Sequence, residues 1–429
     1  MSSALASLPA VLGADLQVPL VTGECVGYAN LDHAASAPAL AAVAEHVAEV
    51  IPFSASVHRG AGYASQVCTS LLETARATIG RFLGARADDA VVFTRSTTDA
   101  LNLLATAVPG RVLCLDVEHH ANLLPWRDVR RVPAAATIEQ TLTDLATALA
   151  EEEFALVAVT GASNVTGEAL PIADVVALAR AAGARVALDA AQLAPHRRVD
   201  IAAWGVDYVA ISGHKLYAPY GAGVLAGRAD WLDAAPPFLA GGGATLAVDT
   251  CTVRWASGAQ RHEAGSPNVV GAAALAQACR TLAPVLTDAA PEHERVLSER
   301  LSAGLAEIPG VTELSIWSDS TDKVGVHAFT VADRPAGYVA AYLSAEHGIG
   351  VRDGKFCAHP LLDRLNPGSG AALRASFGLG TTTEHIDRLV EALDTLVRRG
   401  SRWTYAPVDG RWAPTPDPRP RDPFGVGAA

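Results

Sequence analysis

Lys215 is one of only three lysines in a chain with 33 basic residues, the others being Lys323 and Lys355. An amine can be a nucleophile, a base or a Schiff-base partner; a guanidinium stays protonated and is none of these. Lys215 lies in Ser212-Gly213-His214-Lys215-Leu216-Tyr217-Ala218-Pro219-Tyr220-Gly221-Ala222-Gly223, just after the apolar run Tyr208-Val209-Ala210-Ile211. A second apolar run, Arg185-Val186-Ala187-Leu188, ends on Asp189 with Gln192 close behind, and a third, Ala90-Val91-Val92-Phe93-Thr94, leads into Arg95-Ser96-Thr97-Thr98. An amine, a carboxylate at another strand end and hydroxyls opening a helix are what pyridoxal phosphate chemistry requires. The lysine binds the aldehyde, the aspartate keeps the pyridine nitrogen protonated, and a helix N-terminus takes the phosphate. A loop lysine and a simple Ser/Thr helix cap are the competing local readings.

These residues depend on a regular frame. Strand-like apolar runs alternate with helical periods: Arg111-Val112-Leu113-Cys114-Leu115-Asp116 precedes Glu118-His119-His120, and Ala155-Leu156-Val157-Ala158-Val159-Thr160 precedes Gly161-Ala162-Ser163-Asn164. Unbroken apolar strands in a βαβ rhythm predict an α/β fold with a mostly parallel sheet covered by helices, in which ligands sit beyond the C-terminal strand ends. That rule gathers Thr97, His119, Asn164, Asp189, Gln192, His214 and Lys215 on one edge. Two adjacent histidines suggest metal binding, but no third ligand has suitable spacing, so His119 is read as a stacking or acid–base group.

Composition narrows the classes. The 429 residues are 50% hydrophobic and 18% charged, with a formal net charge of −12, which argues against a nucleic-acid partner. No apolar run is long enough to cross a membrane, and no basic, signal-like start is present, so no membrane partner is expected. Six scattered cysteines without a CxxC pair point to reduced thiols and a cytoplasmic setting. The expected organisation is an N-terminal arm over 1–27, a large domain over 28–289, a smaller α+β domain over 290–399 and an extended Pro/Arg-rich tail over 400–429.

The motifs LDHAASAP, VHRG, FTRSTTDALN, EHHANLLPW, SNVTG, LDAAQ, SGHKLYAPYGAG, RHEAGSPN, VRDGKFCAHP and LRASF occur in this order between about Tyr28 and Leu396. In them the chain resembles the fold-type I, class V aminotransferase-like enzymes, and among these the group II cysteine desulfurases and selenocysteine lyases. The resemblance implies a large domain with a mostly parallel seven-stranded sheet between helices, pyridoxal 5'-phosphate on Lys215, Asp189 against the pyridine nitrogen, Gln192 on the ring hydroxyl and His119 stacked on the ring. It implies phosphate contacts from Thr97, Ser212 and His214, and from Ser266 of a second copy, hence a homodimer. Arg374 would clamp the substrate carboxylate with help from Asn164, Arg352 would line the entrance, and Cys357 would accept sulfur from L-cysteine as a persulfide, leaving L-alanine and serving a sulfur-acceptor protein.

Two departures stand out. Lys355-Phe356 precedes the cysteine where the family often has two histidines, and Ser96 stands where a glycine usually opens the phosphate loop. The alternatives are a C–S lyase that bypasses Cys357, an aminotransferase or kynureninase-like enzyme, and an inactive scaffold that binds a sulfur carrier.

Overall fold

The computed structural model describes residues 8–420 and 422–425, which form two compact units. The larger comprises residues 36–291 and 316–324, together with 8–10. Its centre is a seven-stranded sheet of β1 (Asp89–Thr94), β2 (Val112–Leu115), β3 (Val129–Val132), β4 (Leu156–Thr160), β5 (Arg185–Asp189), β6 (Tyr208–Ser212) and β7 (Gly223–Arg228). The spatial order is β1-β7-β6-β5-β4-β2-β3. Strand β7 is antiparallel to both β1 and β6, and the remaining pairs are parallel, as the apolar runs predict. Every residue of β2, β4 and β6 is buried, so these strands show no polar alternation.

Val92, Leu101, Leu104, Cys114, Leu156, Tyr208 and Leu225 form one apolar cluster that joins the sheet to the helix Thr97–Ala107. At roughly 1.5–3 kcal/mol for each large aliphatic side chain removed from water, this burial fixes strand order and register. Segment 316–324 returns to the large unit after the chain has left it. Buried Glu168 accepts hydrogen bonds from the backbone nitrogens of Ile316 (2.7 Å) and Trp317 (3.0 Å), and the Trp317 indole nitrogen donates to Thr141 Oγ1 at 3.0 Å.

The second unit comprises residues 11–35, 292–315 and 325 onward. It holds a four-stranded antiparallel sheet in the order Val311–Glu313, Val326–Val331, Ala372–Ser376, Arg352–Gly354. Phe329, Tyr342, Leu373, Ile386, Leu389 and Leu393 fill its core. The helix Thr383–Arg399 starts with a capping box between Thr382 and His385 and buries one apolar stripe.

Both termini differ from the linear division read from the sequence. Ala29 and Leu31 are fully buried in the second unit's core, where Ala29 pairs with Ile349, so the start of the LDHAASAP motif belongs there. The tail expected to be extended instead forms a hairpin, Tyr405–Val408 with Arg411–Pro414. Tyr405 and Trp412 meet Tyr338 edge-on at 5.4 and 5.5 Å, and Glu346 accepts from the backbone nitrogens of Arg402 and Trp403 and from the Tyr405 hydroxyl. Aromatic residues spaced among prolines gave this segment a partner surface that its composition concealed.

Candidate active site

In the large unit, β1, β2, β4, β5 and β6 run in one direction, and their C-terminal ends share one sheet edge. Thr97 opens the helix after β1, and Ser212 closes β6. Ser212 Oγ lies 2.8 Å from both the backbone nitrogen and Oγ1 of Thr97, and both residues are buried. Ser96 occupies the N-cap position in an extended conformation without a side-chain cap bond. The cap reading is therefore not realised by Ser96, and the helix entrance offers donors to an anion. Asp99 in the first turn would oppose an anion, but Arg95 pairs with it at 2.6 Å. Gly223 lets β7 approach, since a Cβ there would lie 2.6 Å from the Ser96 Cα.

Asp189 ends β5, is buried, and accepts from the Ala191 backbone nitrogen at 3.0 Å. Burial raises its pKa, while the Lys215 charge and the Ala191 hydrogen bond oppose that rise. Lys215, half-buried, follows directly after β6, its backbone nitrogen bonding Ser212 O at 3.2 Å. The His214 carbonyl accepts from the Ala37 backbone nitrogen, which ties the lysine turn to the beginning of the unit. Gln192 and Asn164 are buried in the turns after β5 and β4.

His119 caps the short helix His120–Leu123, and its Nδ1 accepts from the Ala121 backbone nitrogen at 3.0 Å. That bond sets the ring's orientation and places the neutral imidazole's proton on Nε2. Beside it lies a residue that the sequence reading passed over. Glu118 is fully buried and accepts from Asn122 Nδ2 at 2.7 Å and from the Thr160 backbone nitrogen at 3.1 Å. Burial pushes its carboxyl up to about 8, with the Asp189 charge adding to the rise. Its sequence signal, an acidic residue three positions past the apolar strand β2, does not single it out from Asp116. Ser266 stands apart from these groups as an exposed residue in the loop before the helix Val269–Leu282.

Arg374, Arg352 and Cys357 belong to the second unit. Arg374 faces Arg352 across paired strands, is buried, and pairs with Asp32 Oδ1 at 2.9 Å. Burial lowers its pKa; Asp32 opposes this, and the charges of Arg352 and Cys357 also reach it. Cys357 is exposed, with a φ of 55°. The other cysteines divide by environment: burial pushes the Cys114 thiol up to about 12 and raises Cys279 as well, whereas Cys25 and Cys251 are exposed. Among the described residues no cluster of His, Cys, Asp and Glu could hold a metal ion.

Comparison with known proteins agrees with this architecture. The family model for "Aminotransferase class-V" matches residues 29–389. A cysteine desulfurase of Dickeya dadantii is 37% identical over 395 residues, covering 88% of this chain and 93% of that protein. One from Cronobacter sakazakii is 36% identical, covering 87% and 95%. Among solved structures, a cysteine desulfurase of Escherichia coli in an S-sulfonic acid form superposes with a TM-score of 0.75 at 32% identity, covering 91% of this chain and 96% of that one. The apo cysteine desulfurase of Thermococcus onnurineus gives a TM-score of 0.79 at 29% identity, covering 86% and 95%.

Proposed function

The chain belongs to the class-V aminotransferase family, in its cysteine desulfurase branch, and on that footing we propose that it uses pyridoxal phosphate to convert L-cysteine to L-alanine, passing the sulfur to Cys357. The observation that carries this reading is the shared edge: an uncapped helix N-terminus beside the Thr97 and Ser212 hydroxyls, with Asp189 buried under the charge of Lys215. The donor set fits the cofactor: hydroxyls and backbone N–H groups for a phosphate, a carboxylate for a pyridinium, and an amine for an aldehyde.

Held on Lys215, the cofactor would supply an electron sink for the substrate Cα. Thr97, Ser212 and His214 would hold the phosphate, Gln192 would take the ring hydroxyl, and His119 would stack on the ring. Asp189 would stand opposite the pyridine nitrogen, where the Lys215 charge opposes the rise in its pKa that burial causes. Arg374 takes the substrate carboxylate with Asn164, and Arg352 lines the approach. Lys215 removes the Cα proton. The Cys357 thiolate forms an S–S bond to the substrate sulfur as the Cβ–S bond breaks; the electron pair stays on carbon, which is protonated to give alanine.

The resulting persulfide serves a sulfur-acceptor protein, in a cytoplasmic setting consistent with six free cysteines. Ser266, exposed in its loop, reaches the phosphate of a second copy in a homodimer. Product analysis with L-cysteine tests the assignment. Alanine and persulfide in equal amounts support it. Pyruvate with free sulfide points instead to a C–S lyase, and a new amino acid formed from an added keto acid points to an aminotransferase.

A further inference from the structure

The residue before the candidate sulfur acceptor has an unusual environment. Phe356 is buried, and the Arg374 guanidinium carbon lies 5.1 Å from its ring centroid. Phe356 and Cys357 are consecutive non-glycine residues with left-handed backbones, at φ 50° and 55°. Each such residue costs roughly 1–2 kcal/mol, so the loop needs an anchor to hold this shape. Several contacts provide it. Ala358 N bonds Lys355 O at 2.9 Å, the Lys355 ammonium pairs with Asp363 at 2.6 Å, and the Phe356 ring is buried against the arginine.

A guanidinium has donors only around its edge, and its faces carry none. The Arg374 guanidinium carbon stands over the Phe356 ring, and the ring, which has no acceptor oxygen, competes with no carboxylate for N–H groups. Asp32 engages Nη2 at the edge. The Phe356 ring and the Asp32 carboxylate are thus two separate partners that together restrict the orientation of the fork. Bidentate capture of a carboxylate depends on that orientation.

We propose that Phe356 is a positioning residue that holds the Arg374 guanidinium in the orientation that binds the substrate carboxylate; this rests on the reading of Arg374 given above. The aromatic ring thereby contributes through the arginine, without touching substrate.

The test compares L-alanine with L-alaninamide, which lacks the carboxylate, in spectral titrations of the holoenzyme. The wild type should prefer L-alanine. In Phe356→Leu the apolar volume is kept and the ring lost, so L-alanine affinity should fall roughly 5–30-fold with little change for the amide. Phe356→Tyr should restore the preference. Phe356→Met replaces the leucine variant if that one fails to retain cofactor, with the same expectation. Arg374→Lys separates the two levels. If it abolishes the preference while Phe356→Leu and Phe356→Met keep it, the positioning role is overturned and the carboxylate reading survives. If Arg374→Lys keeps the preference, the carboxylate reading fails and the inference fails with it.

Discussion

The Ser212 hydroxyl stands 2.8 Å from both the backbone nitrogen and the hydroxyl of Thr97, joining the end of β6 to a helix that starts 115 residues earlier in the chain. This bond fixes the two groups before any anion arrives. A phosphate would find donors already converged and would not have to order them.

Removal of either hydroxyl should therefore weaken cofactor binding more than it weakens the fold. Charge-assisted hydrogen bonds contribute about 1.5–3 kcal/mol, so Ser212→Ala and Thr97→Val should each lower affinity roughly 10–100-fold. Because the two hydroxyls bond each other, the double variant should lose less than the product of the single losses. Equilibrium dialysis of pyridoxal phosphate against the apoprotein measures this.

Lys215→Ala should fold and lose turnover by at least about 10³-fold, since amine and proton carrier go together. Borohydride treatment of the wild type should attach the cofactor mass to the peptide containing Lys215. Recovery of that mass on a peptide containing Lys323 or Lys355 would contradict the assignment.

Asp189→Asn keeps the size of the side chain and removes its charge. A buried carboxylate placed against a cation contributes a preorganised field, and its neutralisation should lower the rate by roughly 10²–10³-fold with cofactor still bound. Steady-state alanine formation at saturating cofactor checks this; a rate within a factor of two of wild type would show that the ring nitrogen does not use this residue.

The buried Glu118 makes the stability of the protein depend on pH. Its folded pKa, pushed up to about 8, exceeds the unfolded value near 4.5. Below the unfolded value both states are protonated and no penalty exists. Between the two values the unfolded chain releases a proton that the folded protein keeps, so stability falls as pH rises through that window and levels off above the folded value. Glu118→Gln removes this titration. Thermal midpoints of wild type should decline more steeply from pH 5 to 8 than those of the variant. The variant should keep its fold because Asn122 Oδ1, which has no hydrogen-bond partner among the described residues, can accept from the new amide once the Asn122 side chain flips.

Cys357→Ala should retain cofactor and L-alanine binding while alanine formation from L-cysteine falls by about 100-fold or more, since the nucleophile is lost. Mass-resolved alkylation supplies the companion measurement. Cys357, Cys25 and Cys251 should react quickly, whereas Cys114 and Cys279, held protonated by burial, should stay unmodified until the protein unfolds.

Five strands of the large sheet were legible in the sequence as apolar runs that end on polar or small-residue turns, whereas β3, with Arg130 and Arg131 at its centre, and β7 were not. Asp189, Thr97 and Lys215 could thus be placed on one edge from strand ends alone. Glu118 was not legible, because its meaning lies in complete burial and in bonds to Asn122 and to the backbone of β4, neither of which leaves a pattern. Phe356 was visible as a departure from a motif, but its role depends on facing Arg374, and that follows from a left-handed turn no spacing encodes. The hairpin after residue 404 escaped for a related reason. Proline content suggested an open chain, while the aromatic contacts of Tyr405 and Trp412 with Tyr338 are tertiary.

Segment 316–324 has a consequence for any attempt to dissect the gene. A fragment ending at residue 291 would leave the Glu168 carboxylate buried without the two backbone donors that it now has, and would vacate the space filled by the Trp317 indole. An unsatisfied buried charge and an aromatic-sized hole each destabilise by several kcal/mol. Stop codons, fusion junctions and domain swaps placed near residue 290 would therefore yield insoluble halves, and a shuffled or chimeric relative must inherit both passages of the chain together.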